Sequence, residues 1–248
     1  MLFPFRDHNP SRNTPYVTWA LIALNVLIFV GTWPLFTDER ALMSFFGDWA
    51  MIPAEVSGQG EYYTMLTSMF LHGGVMHLVG NMLFLYIYGD NIEDQMGPIP
   101  YLLFYLACGF AAAFAHLITN AGSNVPTVGA SGAIAGVMGA YILLFPKAKI
   151  DILFFLVIFI RVFTLPAFLV LGFWMVSQFI SGFSTPTGGG GVAYWAHIGG
   201  FVAGVALIFP LWSRLGGPAF WQRTHFHPDH EPTFTTRTTS IPTIRRRR

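Results

Sequence analysis

The sequence predicts an all-α polytopic membrane protein, a six-transmembrane-helix bundle. Three observations predict it. Of 248 residues, 54% are hydrophobic and only 10% are charged, whereas soluble domains carry about 25% charged residues. Six apolar runs reach the roughly 17–25 residues that a helix needs to cross a hydrocarbon core. The basic residues gather in alternate connections, as orientation in a bilayer requires.

The elements follow in chain order. Residues 1–16 are polar and Pro-bearing, with Arg6 and Arg12, and read as a cytoplasmic N-terminal segment. Spans are expected at residues 17–36, 65–88, 100–119, 129–145, 166–182 and 194–213. The first is longer than the roughly 7–15-residue core of a cleavable signal peptide, so it reads as a retained span. Between the spans stand turn and loop residues: Asp38-Glu39, Ser57-Gly58-Gln59-Gly60, Gly97-Pro98, Asn120-Ala121-Gly122-Ser123-Asn124 and the glycines of 188–191. The membrane domain is therefore bounded at 17–215. Residues 216–248, rich in Thr, Pro and Arg, read as a disordered cytoplasmic tail held near anionic lipid.

Twelve of the 13 Lys and Arg residues precede the first span, follow the fourth or follow the sixth. Only Arg40 falls on the other side. Both termini are thus expected in the cytoplasm, with the chain multi-pass in the plasma membrane of a prokaryote. Residues 150–165 are apolar but carry Asp151 and Arg161. If they crossed, the Arg-rich tail would lie outside, so they read as interfacial or re-entrant. The stretch 90–97 reads as an acidic loop, with Asp90 a solvated helix end.

Polar residues inside the apolar runs are costly and point to function. Ser131 stands in Gly129-Ala130-Ser131-Gly132, and His197 in Ala196-His197-Ile198-Gly199-Gly200. His77 and Asn81 are four residues apart and share a helix face. Counted at about 1.5 Å per residue from the cytoplasmic ends, Ser131, His197 and His77 all fall about 10 Å below the outer surface. The ridges Gly132/Gly136/Ala140 and Gly200/Gly204 allow their helices a close approach. Each residue has a plainer reading. Ser131 could be a packing residue, and His77, Asn81 and His197 could be interhelical glue. Agreement in depth, type and face favours one site.

Other residues stay outside that group. His72 lies near an outer helix end, where water can satisfy it, and stays open between a structural and a functional role, whereas His116 reads as interfacial. The tail cluster His225-Phe226-His227-Pro228-Asp229-His230 reads as solvated sequence rather than a metal site. Cys108, the single cysteine, reads as a small packing residue and excludes an intrachain disulfide. No His-Glu-x-x-His motif occurs, and no pair of membrane-embedded carboxylates. Neither a metal nor another cofactor is expected, and no nucleic-acid partner.

Taken in order, Phe5-Arg6-Asp7-His8-Asn9-Pro10, His72-Gly73-Gly74-Val75-Met76-His77-Leu78-Val79-Gly80-Asn81, Gly129-Ala130-Ser131-Gly132 and Ala196-His197 with Gly200 and Gly204 resemble the rhomboid family of intramembrane serine proteases. The resemblance implies that Ser131 is the nucleophile, His197 the general base and Asn81 an oxyanion donor with His77 beside it. It implies a site open to the extracytoplasmic side and partners that are membrane-spanning substrate proteins. No acidic residue lies at that depth, so a Ser–His dyad is expected. Some family members place an aromatic residue one turn after the Ser, under the His; here that position is Ala135. Some carry a Trp-Arg pair in the first outer loop, where this chain has Trp49-Ala50. The alternatives are a non-catalytic rhomboid-like fold that binds transmembrane helices, and a transporter. The latter would need coupling carboxylates and paired repeats, which are not evident.

Overall fold

A computed structural model describes residues 2–9, 11–156, 159–186 and 191–227. In order they form β1 (Leu2–Asp7), α1 (Tyr16–Thr32), α2 (Glu39–Trp49), α3 (Pro53–Gln59), α4 (Thr64–Thr67), α5 (Val75–Met96), α6 (Pro98–Thr119), α7 (Ser131–Leu144), β2 (Lys149–Leu156), β3 (Phe159–Pro166), α8 (Ala167–Ser184), α9 (Tyr194–Arg214) and α10 (Pro218–Thr224).

By length and composition four helices can cross a membrane: α1 with the 3₁₀ turn that follows it, α6, α8 and α9. A fifth crossing is reached only if one bent pair of helices counts as a single span. The segment Thr64–Phe70 meets α5 at 91°, so the expected continuous span at 65–88 is replaced by a bent pair. Gly73 and Gly74 stand at the break, where the backbone of Gly74 is fully extended. The expected acidic loop at 90–97 is absent, because α5 stays helical to Met96 and turns at Gly97 (φ 79°) directly into α6.

The remaining expected span is α7, with only 14 residues. It needs no full crossing length because it faces protein rather than lipid, and every residue from Gly132 to Tyr141 is buried. Its length of about 21 Å falls short of a hydrocarbon core of about 30 Å. The count of six spans is therefore not reached by length and composition alone.

Helices α7 and α9 form the centre. A side chain added at Gly200 would collide with the Gly132 carbonyl, and one at Gly204 with the Gly136 carbonyl. The two glycine ridges thus bring the backbones into direct contact, as read from the sequence. Helix α1 is the least buried of the four crossing-length helices and borrows its cap. Its own first turn has no acidic residue, and the Glu93 carboxylate of α5 accepts from Val17 N–H, Thr18 N–H and the Thr18 hydroxyl at 2.8–2.9 Å. A buried anion there satisfies orphan donors and the positive helix end together.

The fold is not all-α. Strands β1, β2 and β3 form an antiparallel sheet in that order. Lys149 pairs with Pro166 and Leu156 with Phe159, so residues 150–165 leave and return on one side, in keeping with a segment that does not cross. The β-branched and aromatic content of the hairpin favours strand. The missing ingredient was the third strand, which comes from the far N-terminus.

Charge locks that strand in place. Asp151, buried on β2, accepts from Arg6 (2.6 and 3.1 Å), pairs with His8 Nε2 (2.8 Å) and accepts from the Thr164 hydroxyl (2.6 Å). Beside it Asn9 and Asp7 bind the Tyr141 hydroxyl, and Asn91 donates to the Asn9 carbonyl (2.8 Å) and to Asp90. Asp90 therefore belongs to a network tying β1 to the ends of α5 and α7, a correction to its reading as a solvated helix end.

Burial by itself would raise the Asp151 carboxyl, but hydrogen bonds from Thr164, His8 and Arg6 outweigh it and hold the group at about 2. Its folded value lies below the ordinary value of about 3.9, so its stabilisation is complete above that pH and is lost as pH falls towards 2. Asp151→Asn is expected to cost about 1–3 kcal/mol at pH 7. The gap between variant and parent melting temperatures should narrow in acid; a gap independent of pH would refute the ionic account.

The start of the expected tail is also ordered. Phe220 of α10 is buried, and Trp221 Nε1 donates to the Leu143 carbonyl (2.8 Å), satisfying a group in the last turn of α7. Residues 228–248, with Asp229 and His230, lie outside the described residues.

Candidate active site

The first turns of α5, α7 and α9 converge on a cleft of about 600 Å³ lined by His77, Asn81, Ser131, His197, Trp174 and the loop residues 126–128 and 191–193, among others. The structure thus brings together all four polar residues singled out from the sequence. The positive ends of three helix dipoles meet there, which favours negative charge developing in the cleft.

Ser131 is the first residue of α7, not an interior one. A first-turn position leaves its backbone N–H without an intrahelical acceptor and aims it outward into the cleft end of the helix. The hydroxyl lies 2.8 Å from His197 Nε2. Gly129, two residues earlier, has φ 130°, and a Cβ there would lie 2.7 Å from His77 Nε2. Glycine is therefore required both by the backbone and by the close approach of the imidazole.

Asn81 is buried, and its Nδ2 has no hydrogen-bond partner within the described residues. It lies near Gly129, at 3.6 Å from the Cβ position there. A buried amide N–H that faces the cleft can donate to an acceptor entering there. The His72 ring packs edge-on against His77 at 5.1 Å. His72 is buried, which corrects its reading as a water-satisfied end. His116 lies apart, with Nε2 3.1 Å from the Thr127 hydroxyl. Thr127 in turn pairs with Met51, tying the first outer loop to the approach to Ser131. Among the described residues no group of three or more potential metal ligands occurs.

Two residues at the site were missed. His197 Nδ1 lies 2.7 Å from Gln178 Oε1, and the Trp174 ring sits 5.6 Å from the His197 ring at 34°. Both come from α8. With Ala135 on α7 too small to support the imidazole, α8 supplies the aromatic surface instead. Gln178 is a buried amide in a membrane-grade helix, which was the available signal.

Comparison with known proteins agrees with this architecture. Residues 59–214 match the family model of the Rhomboid domain. The chain belongs to the rhomboid family. RHOMBOID-like protein 12, mitochondrial, of Arabidopsis thaliana is 30% identical over 215 residues, covering 80% of this chain and 58% of the relative. Rhomboid protease GluP of Bacillus subtilis is 33% identical over 136 residues, covering 52% and 25%. Rhomboid protein 1, mitochondrial, of Saccharomyces cerevisiae is 29% identical over 202 residues, covering 76% and 51%. The rhomboid chain therefore spans between a quarter and about three-fifths of the length of these relatives. They include organellar and bacterial proteins, and so give no support to the expected prokaryotic plasma membrane. What holds is an integral membrane protein of this family.

Proposed function

We propose that this rhomboid is a serine endopeptidase that cuts transmembrane segments of other membrane proteins, with Ser131 as nucleophile and His197 as general base. The observation that carries the reading is the 2.8 Å contact between Ser131 Oγ and His197 Nε2 at the convergence of three helix N-termini. Packing alone does not require a hydroxyl aligned on an imidazole nitrogen. In this reading both termini are cytoplasmic and the cleft faces the other side.

The chemistry follows from the positions. His197 Nε2 accepts the Ser131 proton as Oγ attacks the peptide carbonyl carbon. The carbonyl oxygen becomes an oxyanion, met by the Ser131 backbone N–H and by Asn81 Nδ2, with His77 beside them. The imidazolium returns its proton to the departing amine, leaving an acyl ester on Ser131. Water, deprotonated by His197, then attacks the ester and frees the enzyme. A helical substrate must unwind locally to offer its carbonyl, so helix-breaking residues at the cut favour reaction.

The test is purified full-length protein in proteoliposomes with a single-span substrate carrying a helix-breaking segment. Cleavage is expected to persist in EDTA, and a fluorophosphonate is expected to label Ser131 and to stop cleavage. Cleavage that survives complete labelling, or labelling on another residue, would sink the assignment.

A further inference from the structure

We propose that Gln178 is a positioning residue that holds His197 in the tautomer proton transfer needs, so that α8 completes the site. This rests on the reading of Ser131 and His197 given above.

The orientation of the Gln178 amide follows from its neighbours. Ser177 Oγ donates to the Trp174 carbonyl at 2.6 Å. Its lone pairs therefore accept from Gln178 Nε2 at 3.1 Å, and the same nitrogen reaches the Trp174 carbonyl at 3.4 Å. That assigns nitrogen to the helix side and Oε1 to the His197 side, 2.7 Å from Nδ1. An amide oxygen only accepts, so Nδ1 must carry the imidazole proton. In a neutral ring Nε2 is then left with a bare lone pair, and it is Nε2 that faces Ser131 Oγ at 2.8 Å. The other tautomer would set two lone pairs against each other at Gln178 and offer Ser131 no base.

Trp174 and Gln178 are four apart and so stand on one face of α8, one against the ring and one at its edge. The opposite face is apolar and open, with Phe173 and Phe183 each 75% exposed. At its other end α8 is anchored by Ala167 N–H to the Ala148 carbonyl and Phe168 N–H to the Pro146 carbonyl, at 2.8 and 2.9 Å. The base on α9 is thus oriented from a helix whose other face is exposed. Displacing α8 removes the aromatic support and the tautomer lock together.

The experiment combines turnover with ¹⁵N NMR of histidine-labelled full-length protein, comparing parent, Gln178→Leu and Gln178→Glu. The parent His197 signal is expected to report a protonated Nδ1 at pH above its titration. Gln178→Leu should show mixed tautomers and a kcat about 10²-fold lower, with KM changed by less than about twofold. Gln178→Glu keeps an acceptor and adds a negative charge that favours imidazolium, so its acid limb in kcat/KM should move up by about one pH unit or more. A parent His197 protonated on Nε2 overturns the proposal, as does a folded Gln178→Leu enzyme with parental kcat. If Gln178→Leu does not fold, the parent NMR signal and the Gln178→Glu pH profile decide. A parent that cleaves no transmembrane substrate would instead remove the protease reading, with the tautomer still measured.

Discussion

Ser131→Ala and His197→Ala are each expected to lower kcat by about 10⁴–10⁶-fold while the protein remains folded. The size follows from the two groups acting as one unit. Without His197 the Ser131 hydroxyl keeps its proton and is a poor nucleophile, and without Ser131 the imidazole has nothing to activate. The double variant should therefore be no slower than either single one, a gross failure of additivity. Folding is not expected to suffer much, since Ser131 is at a helix start and its side chain fills little volume. Single-turnover cleavage with thermal denaturation on the same preparations checks both points. Additive losses across the cycle would mean that the 2.8 Å contact is not a working dyad.

Asn81→Ala is expected to lower kcat by about 10²–10³-fold with KM little changed, because an oxyanion donor acts on the transition state. The structural motive is its buried Nδ2, which finds no partner within the described residues although it lies beside Gly129 and the start of α7. Asn81 also lines the cleft together with Ser131 and His197. The Ser131 N–H remains in the variant, so activity should stay above that of Ser131→Ala. Interhelical glue predicts the opposite pattern: a stability loss of about 0.6–2 kcal/mol with near-normal turnover. Removing an unpaired amide should instead leave stability close to parental. Measuring kcat and the melting temperature together separates the two.

Much of this was legible beforehand because membrane helices constrain a chain so tightly. Polar residues in apolar runs are conspicuous, and the helical rise turns sequence number into depth. That is how His77, Asn81, Ser131 and His197 could be grouped, although the depth of His77 was counted from Asp90 as a helix end and α5 runs on to Met96. Local glycine spacing likewise announced the approach of α7 and α9. The same reasoning failed where local pattern and global geometry part. Residues 65–88 look like one apolar run, yet the chain bends by 91° before Val75, since hydropathy carries no direction. Residues 1–16 read as a polar N-terminal segment with no strand, because Asp151, the partner of Arg6, lies 145 residues away.

By itself, then, the sequence determined that the chain is a membrane protein, which four polar residues stand inside its apolar runs, and which helices carry the ridges that bring Ser131 and His197 near each other. These are properties of composition, period and rise, all local. Only the tertiary structure decided what orients His197. Ala135 removes the support that the Ser helix might have given, and Trp174 with Gln178 supplies it from α8. Whether Gln178 meets His197 depends on the rotation of one helix against another 19 residues away. Pairwise packing sets that rotation, and no local pattern encodes it.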